Sequence, residues 1–199
     1  DMGNTPSYNI TVKQYQELMD IDEDLSIVEQ NIYSVAALKG ITYEEASKIK
    51  LKDFKKLVDV VADFNVRLLE KVKITNKVEL NGVKYHLEHK PDNLTSGQLL
   101  DVINIRSKHQ GEAVAAMHLL LASISRPRGK SYGDDNLSLQ ERAELFKSVN
   151  LSEVWNVFVF FWNLWNDYFN DTEDSLTKWM NDTLEMTREI LGNDGDSLA

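Results

Sequence analysis

The sequence predicts a mainly α-helical single domain that carries one small β-hairpin. Three observations predict it. A helix-start signature recurs, Ser or Thr followed three residues later by Glu or Gln: Thr11–Gln14, Thr42–Glu45, Thr95–Gln98 and Ser138–Glu141. In each, the hydroxyl accepts from a free amide of the first turn while the Glu or Gln reaches back. Apolar residues then follow at spacings of three and four, the period of a helix face. Between Val78 and Leu87 the period falls to two, around Asn81-Gly82, and Asn-Gly favours the positive φ angles of a two-residue hairpin turn.

The elements follow in order. A short helix is expected over about 12–20, then one from about Asp24 to Leu38 with Leu25, Val28, Ile32, Val35 and Ala36 on one face. Gly40 supplies its C-terminal cap. A short helix follows Thr42, and a longer one covers about 52–72 through Phe54, Leu57, Val58, Val61, Leu68, Leu69 and Val72. The hairpin occupies about 78–88. A lone two-stranded hairpin is marginal, so it must pack on helices or pair with a further strand, in this chain or in another. After Pro91, Thr95 opens a helix through about Lys108, which Gly111 breaks. Residues 112–124 are apolar nearly all round, so a helix there belongs at the centre of the core. Arg126–Lys130 begins an exposed loop running to Ser138. Helix 139–148 follows, Ser152 caps an aromatic helix, and a last helix spans about 174–191. One domain to residue 191 and a polar tail over 192–199 complete the reading.

The aromatic helix is the densest feature. Val154–Phe169 holds three of the four tryptophans and four of the seven phenylalanines. A bilayer span needs about twenty apolar residues with few interruptions. This run is shorter, and Asn156, Asn163 and Asp167 fall on nearly one line of the helix, with Phe160 beside them. A helix with so narrow a polar stripe is expected to be buried on most sides. Its aromatic surface is covered by the core, by a partner, or by both.

Composition narrows the functions. The chain has 199 residues, 42% apolar and 27% charged, with three prolines and nine glycines, as in an ordinary globular protein. It has no cysteine, which excludes a disulfide, a thiol nucleophile and a thiolate metal site. No signal peptide is read, and Asp1 before Met2 reads as a processed or expression-derived start. The net charge of −10 is unevenly spread. Residues 1–47 hold two basic and nine acidic side chains, and residues 134–199 hold four and fourteen. Residues 48–90 hold eleven basic and six acidic. The acidic ends repel nucleic acid. The Lys-rich middle is a set of solvated helix faces or a surface for an acidic partner.

No catalytic constellation emerges. His86 and His89 stand three apart on a strand, so they point to opposite faces, with no third ligand nearby. His118, in the most apolar helix, reads as a hydrogen-bonded core residue. The acidic groups Asp22-Glu23-Asp24, Asp134-Asp135 and Glu173-Asp174 lie near helix starts, where negative charge suits the dipole. The nucleophile elbow, the P-loop, the dinucleotide fingerprint and HExxH are all missing from the sequence. No cofactor or metal is expected.

One ordered set of segments resembles a known family. Val78-Glu79-Leu80-Asn81-Gly82-Val83-Lys84-Tyr85 leads into Leu94-Thr95-Ser96-Gly97-Gln98-Leu99-Leu100-Asp101. Met117-His118-Leu119-Leu120, Arg126-Pro127, Tyr132, Glu141-Arg142-Ala143 and Phe160-Phe161 follow. This order, with Ile10–Tyr15 at the start, resembles the small tail-assembly or baseplate-hub-assembly chaperone-like proteins of tailed bacteriophages, the crAss-like phages of Bacteroidetes among them. The resemblance spans about 10–170. It implies a non-enzymatic role in virion or tail assembly, in the host cytoplasm or within the virion, with other phage proteins as partners and neither nucleic acid nor membrane. Interfaces are enriched in aromatic anchors. Trp155, Trp162, Trp165 and Trp179, with Tyr85 on the hairpin, are the candidate partner-binding residues. The rival expectations are an acidic-cleft hydrolase and a peripheral membrane protein.

Overall fold

The computed structural model describes residues 10–67, 75–109 and 112–163. The chain divides into two compact units, Asp1–Phe161 and Trp162–Ala199. The first is mainly α with a small antiparallel sheet. The expected helix at 174–191, the boundary at 191 and the tail lie outside the described residues, as do Trp165 and Trp179.

Helices α1 (Val12–Met19), α2 (Ile27–Lys39), α3 (Tyr43–Ser47) and α4 (Leu51–Arg67) form the first half. Strands β1 (Lys77–Leu80) and β2 (Val83–Leu87) follow, then a 3₁₀ turn at Pro91–Asn93. After these come α5 (Ser96–His109), α6 (Met117–Ser123), β3 (Ser125–Pro127) and α7 (Leu139–Lys147). Helix α8 occupies 151–163.

All four expected capping boxes form. Thr11, Thr42 and Ser138 accept from the backbone N–H of Gln14, Glu45 and Glu141, and Thr95 accepts from that of Gln98 at 3.3 Å. A fifth, Ser26–Glu29, starts α2 later than the expected Asp24. In consequence Val28 lies ahead of the buried stretch and is 65% exposed, while Val35–Leu38 are buried. Gly40 caps α2 at φ +62°, as expected.

Two helix starts differ from expectation. Residues 113–116 form turns, and the helix begins only at Met117. Ala116 brings no side-chain cap. The turn before it is held from α1, where Gln16 donates its amide to the carbonyls of Val114 and Ala115 at 2.8 and 2.7 Å. At α8, Asn150 is the capping residue rather than Ser152. Its Oδ1 accepts from the Ser152 N–H at 3.1 Å. Backbone bonds Val12 N–H to Val149 O and Leu151 N–H to Ile10 O tie the start of α1 to the start of α8.

Helix α6 does occupy the centre. Met117, Leu120, Leu121 and Ala122 are at most 1% exposed, and Phe146 of α7 and Phe161 of α8 are equally buried. Helix α8 buries Leu151, Val154, Val157, Phe158 and Phe161 along one face. Its other side, with Asn156, Phe160 and Asn163, is half or fully exposed. The expectation of burial on most sides is therefore corrected for its described part. The i, i+3, i+4 spacing of those five residues is enough to make one inward face.

His118 is half-buried and takes a contact from Gln16 Nε2 at Nδ1, 2.9 Å away. Burial, then the Lys147 charge, pushes its pKa down from 6.5 to about 4. The folded protein holds it neutral while the unfolded chain takes a proton below about pH 6.5. Stability therefore falls as pH drops through the window between these values. Urea midpoints across that window should decline less steeply for His118→Gln than for the parent. Identical slopes would remove His118 as their cause.

Candidate functional site

The sheet has the order β1-β2-β3. Asn81 and Gly82 take φ of +49° and +78°, and the hairpin pairs Leu80 with Val83 and Lys77 with His86. The strand needed to complete it is β3, which pairs His86 with Arg126 and Tyr85 with Pro127. The expected exposed loop from Arg126 is thus corrected at its first residues. Pro127 is compatible with that place because β3 is an edge strand.

Alternation gives the sheet two unlike faces. Val78, Leu80, Tyr85, Leu87 and Ser125 point inward and are buried. Lys77, Glu79, Lys84, His86 and Arg126 alternate with them. The register sets Lys77, His86 and Arg126 in one row across three strands. Arg128 N–H donates to Lys84 O at 2.8 Å, which extends the next row beyond Glu79 and Lys84. These residues line an open groove of about 400 Å³, with Glu153 of α8 also in its lining. Four cations thus meet two carboxylates. Among the described residues, none of the four cations stands within 4.0 Å of a carboxylate oxygen. His86 Nε2 lies 3.6 Å from Glu88 Oε2. Arg126 donates to Lys130 O at 3.3 Å.

Beneath the sheet lies a buried clamp. Arg142, 1% exposed, donates from Nε and Nη2 to the two Asp135 oxygens at 2.8 and 2.7 Å. Further bonds run to Ala122 O and Leu137 O. Tyr85 donates its hydroxyl to Asp135 at 3.1 Å. The Arg142 hydrogen bonds hold the Asp135 carboxyl below the usual carboxylate range. Burial, then Asp135, pushes the Tyr85 hydroxyl up. Tyr132 lies under the guanidinium and donates to Asp101. The clamp fixes the loop before α7 against the sheet that carries the groove.

No protein family, curated protein or solved structure matches the chain.

The candidate anchors are placed as follows. Tyr85 is 2% exposed and bonded to Asp135, so it is a core residue rather than a surface contact. The strand alternation that makes Lys84 outward makes Tyr85 inward. Trp155 is half-buried and meets Tyr15 edge-on at 5.3 Å. Trp162 is half-exposed. Phe160, not among the sequence-based candidates, is 40% exposed and meets His89 edge-on at 5.5 Å. His86 and His89 do not converge on one another's partners. No group of three or more metal-competent side chains occurs among the described residues. No described helix is long and apolar enough to cross a membrane.

Sequence reading missed the groove. Arg126 and Arg128 stand some forty residues after Lys84, and only the pairing of β3 with β2 brings them together.

Proposed function

We infer that this chain is a non-enzymatic protein–protein interaction module of tailed-phage assembly, a chaperone of tail or baseplate components or a packaged virion component. The observation that carries the interaction part is the outward side of α8. Phe160 is 40% exposed there, with Trp155 and Trp162 half-buried along the same helix. Large aromatic side chains left part-solvated are the common anchors of protein interfaces. The assembly context comes from the ordered resemblance. The segments that carry it fall on or beside β1, β2, α5, α6, β3, α7 and the part of α8 up to Phe161, all within the unit Asp1–Phe161.

Two measurements test this. Mass spectrometry of purified virions should find the chain if it is a packaged component. A chaperone instead appears only in infected cells, bound to tail proteins. Detection in neither place sinks the proposal. Pull-down of tail proteins by a Trp162→Ala/Trp165→Ala variant should lose at least about tenfold in captured partner, as for interface hot spots. Equal capture by a folded variant removes those two residues as anchors.

A further inference from the structure

We propose that the basic outer face of the three-stranded sheet is a docking surface for an acidic, extended segment of a partner protein. The proposal rests on the reading of this chain as a protein-interaction module, and it names what one face receives. Three observations converge on it. The first is sign. Lys77, Lys84, Arg126 and Arg128 gather on one face of a chain whose net charge is −10. The second is availability. Within the described residues these cations have no carboxylate partner, and Lys77, Lys84 and Arg128 are exposed. Among the described residues their charge is not spent on an ion pair. The third is spacing. Alternate residues on a strand lie about 6.8 Å apart and neighbouring strands about 4.8 Å apart. An extended peptide with acidic side chains at every second position has the same repeat along its length. Its carboxylates meet the Lys77–His86–Arg126 row and the Lys84–Arg128 row in turn. The two arginines offer planar forks to carboxylates, and the lysines add mobile point charges.

A nucleic acid is the other polyanion to weigh, and the groove favours it less. Glu79 and Glu153 stand within the lining, where a continuous phosphate backbone meets them directly. A peptide can place neutral residues at those two points. The outer-face residues Lys77, Glu79, Lys84, His86, Arg126 and Arg128 include no Phe, Tyr or Trp, so the stacking platforms of single-strand binders are missing from this face. The acidic remainder of the chain repels a long polyanion more than a short segment.

The test is fluorescence anisotropy on the full chain at low salt. The probe is a fluorescein-labelled peptide of alternating Glu and Ser. The controls are its Gln–Ser counterpart and a labelled oligothymidine. The expected result is saturable binding of the Glu peptide that weakens with added salt, and none of the Gln peptide. Lys84→Glu/Arg128→Glu should weaken it by at least about tenfold, as loss of complementary charge does. Lys55→Glu/Lys56→Glu, exposed on α4, changes the net charge equally and should leave binding within about twofold. An equal loss in both variants overturns the proposal, because net charge alone then explains the binding. Tighter binding of oligothymidine, or no binding of the Glu peptide, also overturns it. Circular dichroism checks the fold, and Lys84→Ala/Arg128→Ala replaces the reversed-charge variant if that variant unfolds. A negative peptide result with the chain found on virions or tail proteins removes this face and leaves the assembly role. A positive peptide result with the chain found in neither place removes the assembly role alone.

Discussion

Arg142→Ala should destabilise the protein by about 3–5 kcal/mol, the cost of leaving one member of a buried ion pair alone. The Arg142 and Asp135 side chains are only 2% and 6% exposed. Removing the guanidinium leaves the Asp135 carboxylate facing only the Tyr85 hydroxyl and the Leu137 N–H. It also strips the Ala122 and Leu137 carbonyls of a donor. Arg142→Lys keeps the charge but cannot make both Asp135 bonds in one plane, so it should recover only part of the loss. Replacing both partners with apolar residues of similar volume should recover more, since no charge is then left buried. Urea denaturation of the three variants orders them. A loss under about 1 kcal/mol for Arg142→Ala would mean that solvent reaches Asp135 freely. The pair also sets an acid dependence. The folded Asp135 pKa lies below its unfolded value. The stabilisation is therefore complete above about pH 4 and is lost as pH falls through the folded pKa. Arg142→Ala should remove that acid-side slope.

The local half of this structure was legible in the sequence and the non-local half was not. Thr11, Thr42, Thr95 and Ser138 announce their helices because a capping box is complete within four residues. Ser26–Glu29 has the same form, but Leu25 just before it fits the apolar face as well, so the sequence is equally consistent with an earlier start. Asn81-Gly82 announces the hairpin for the same local reason. Strand β3 is three residues long and ends in a proline, so neither period nor composition marks it. It exists because β2 offers an edge and because Glu88 N–H and Lys84 O find partners at Ile124 and Arg128. The groove inherits that illegibility, since half of its cations arrive with β3 and the residues just after it. Tyr85 shows the opposite failure. Its aromatic ring made it an anchor candidate, while the inward parity of position 85 beside Val78 assigns it to the core.

Phe146→Ala should cost about 3–5 kcal/mol, whereas Phe160→Ala should cost under about 1 kcal/mol. Both are phenylalanines on neighbouring helices, and the difference is burial, 0% against 40% exposed. Phe146 lies on the side of α7 that also carries Arg142 and Ala143, both buried. Its ring meets Tyr85 edge-on at 6.5 Å, from the inner face of the sheet. Truncation opens a cavity where α7 meets β2, and close-packed interiors do not collapse to fill such a gap. The loss should weaken the hold of the core on the strand beside Lys84 and His86. Hydrogen exchange at Tyr85 and Leu87 should therefore rise with the loss of global stability. Phe160 leaves no comparable cavity, because 40% of it is already open to solvent and its ring meets His89 only edge-on, at 5.5 Å. Its truncation should leave the urea midpoint nearly unchanged and lower capture of a tail partner. A Phe160→Ala loss as large as that of Phe146→Ala would make it a core residue and remove the outward side of α8 from the interface.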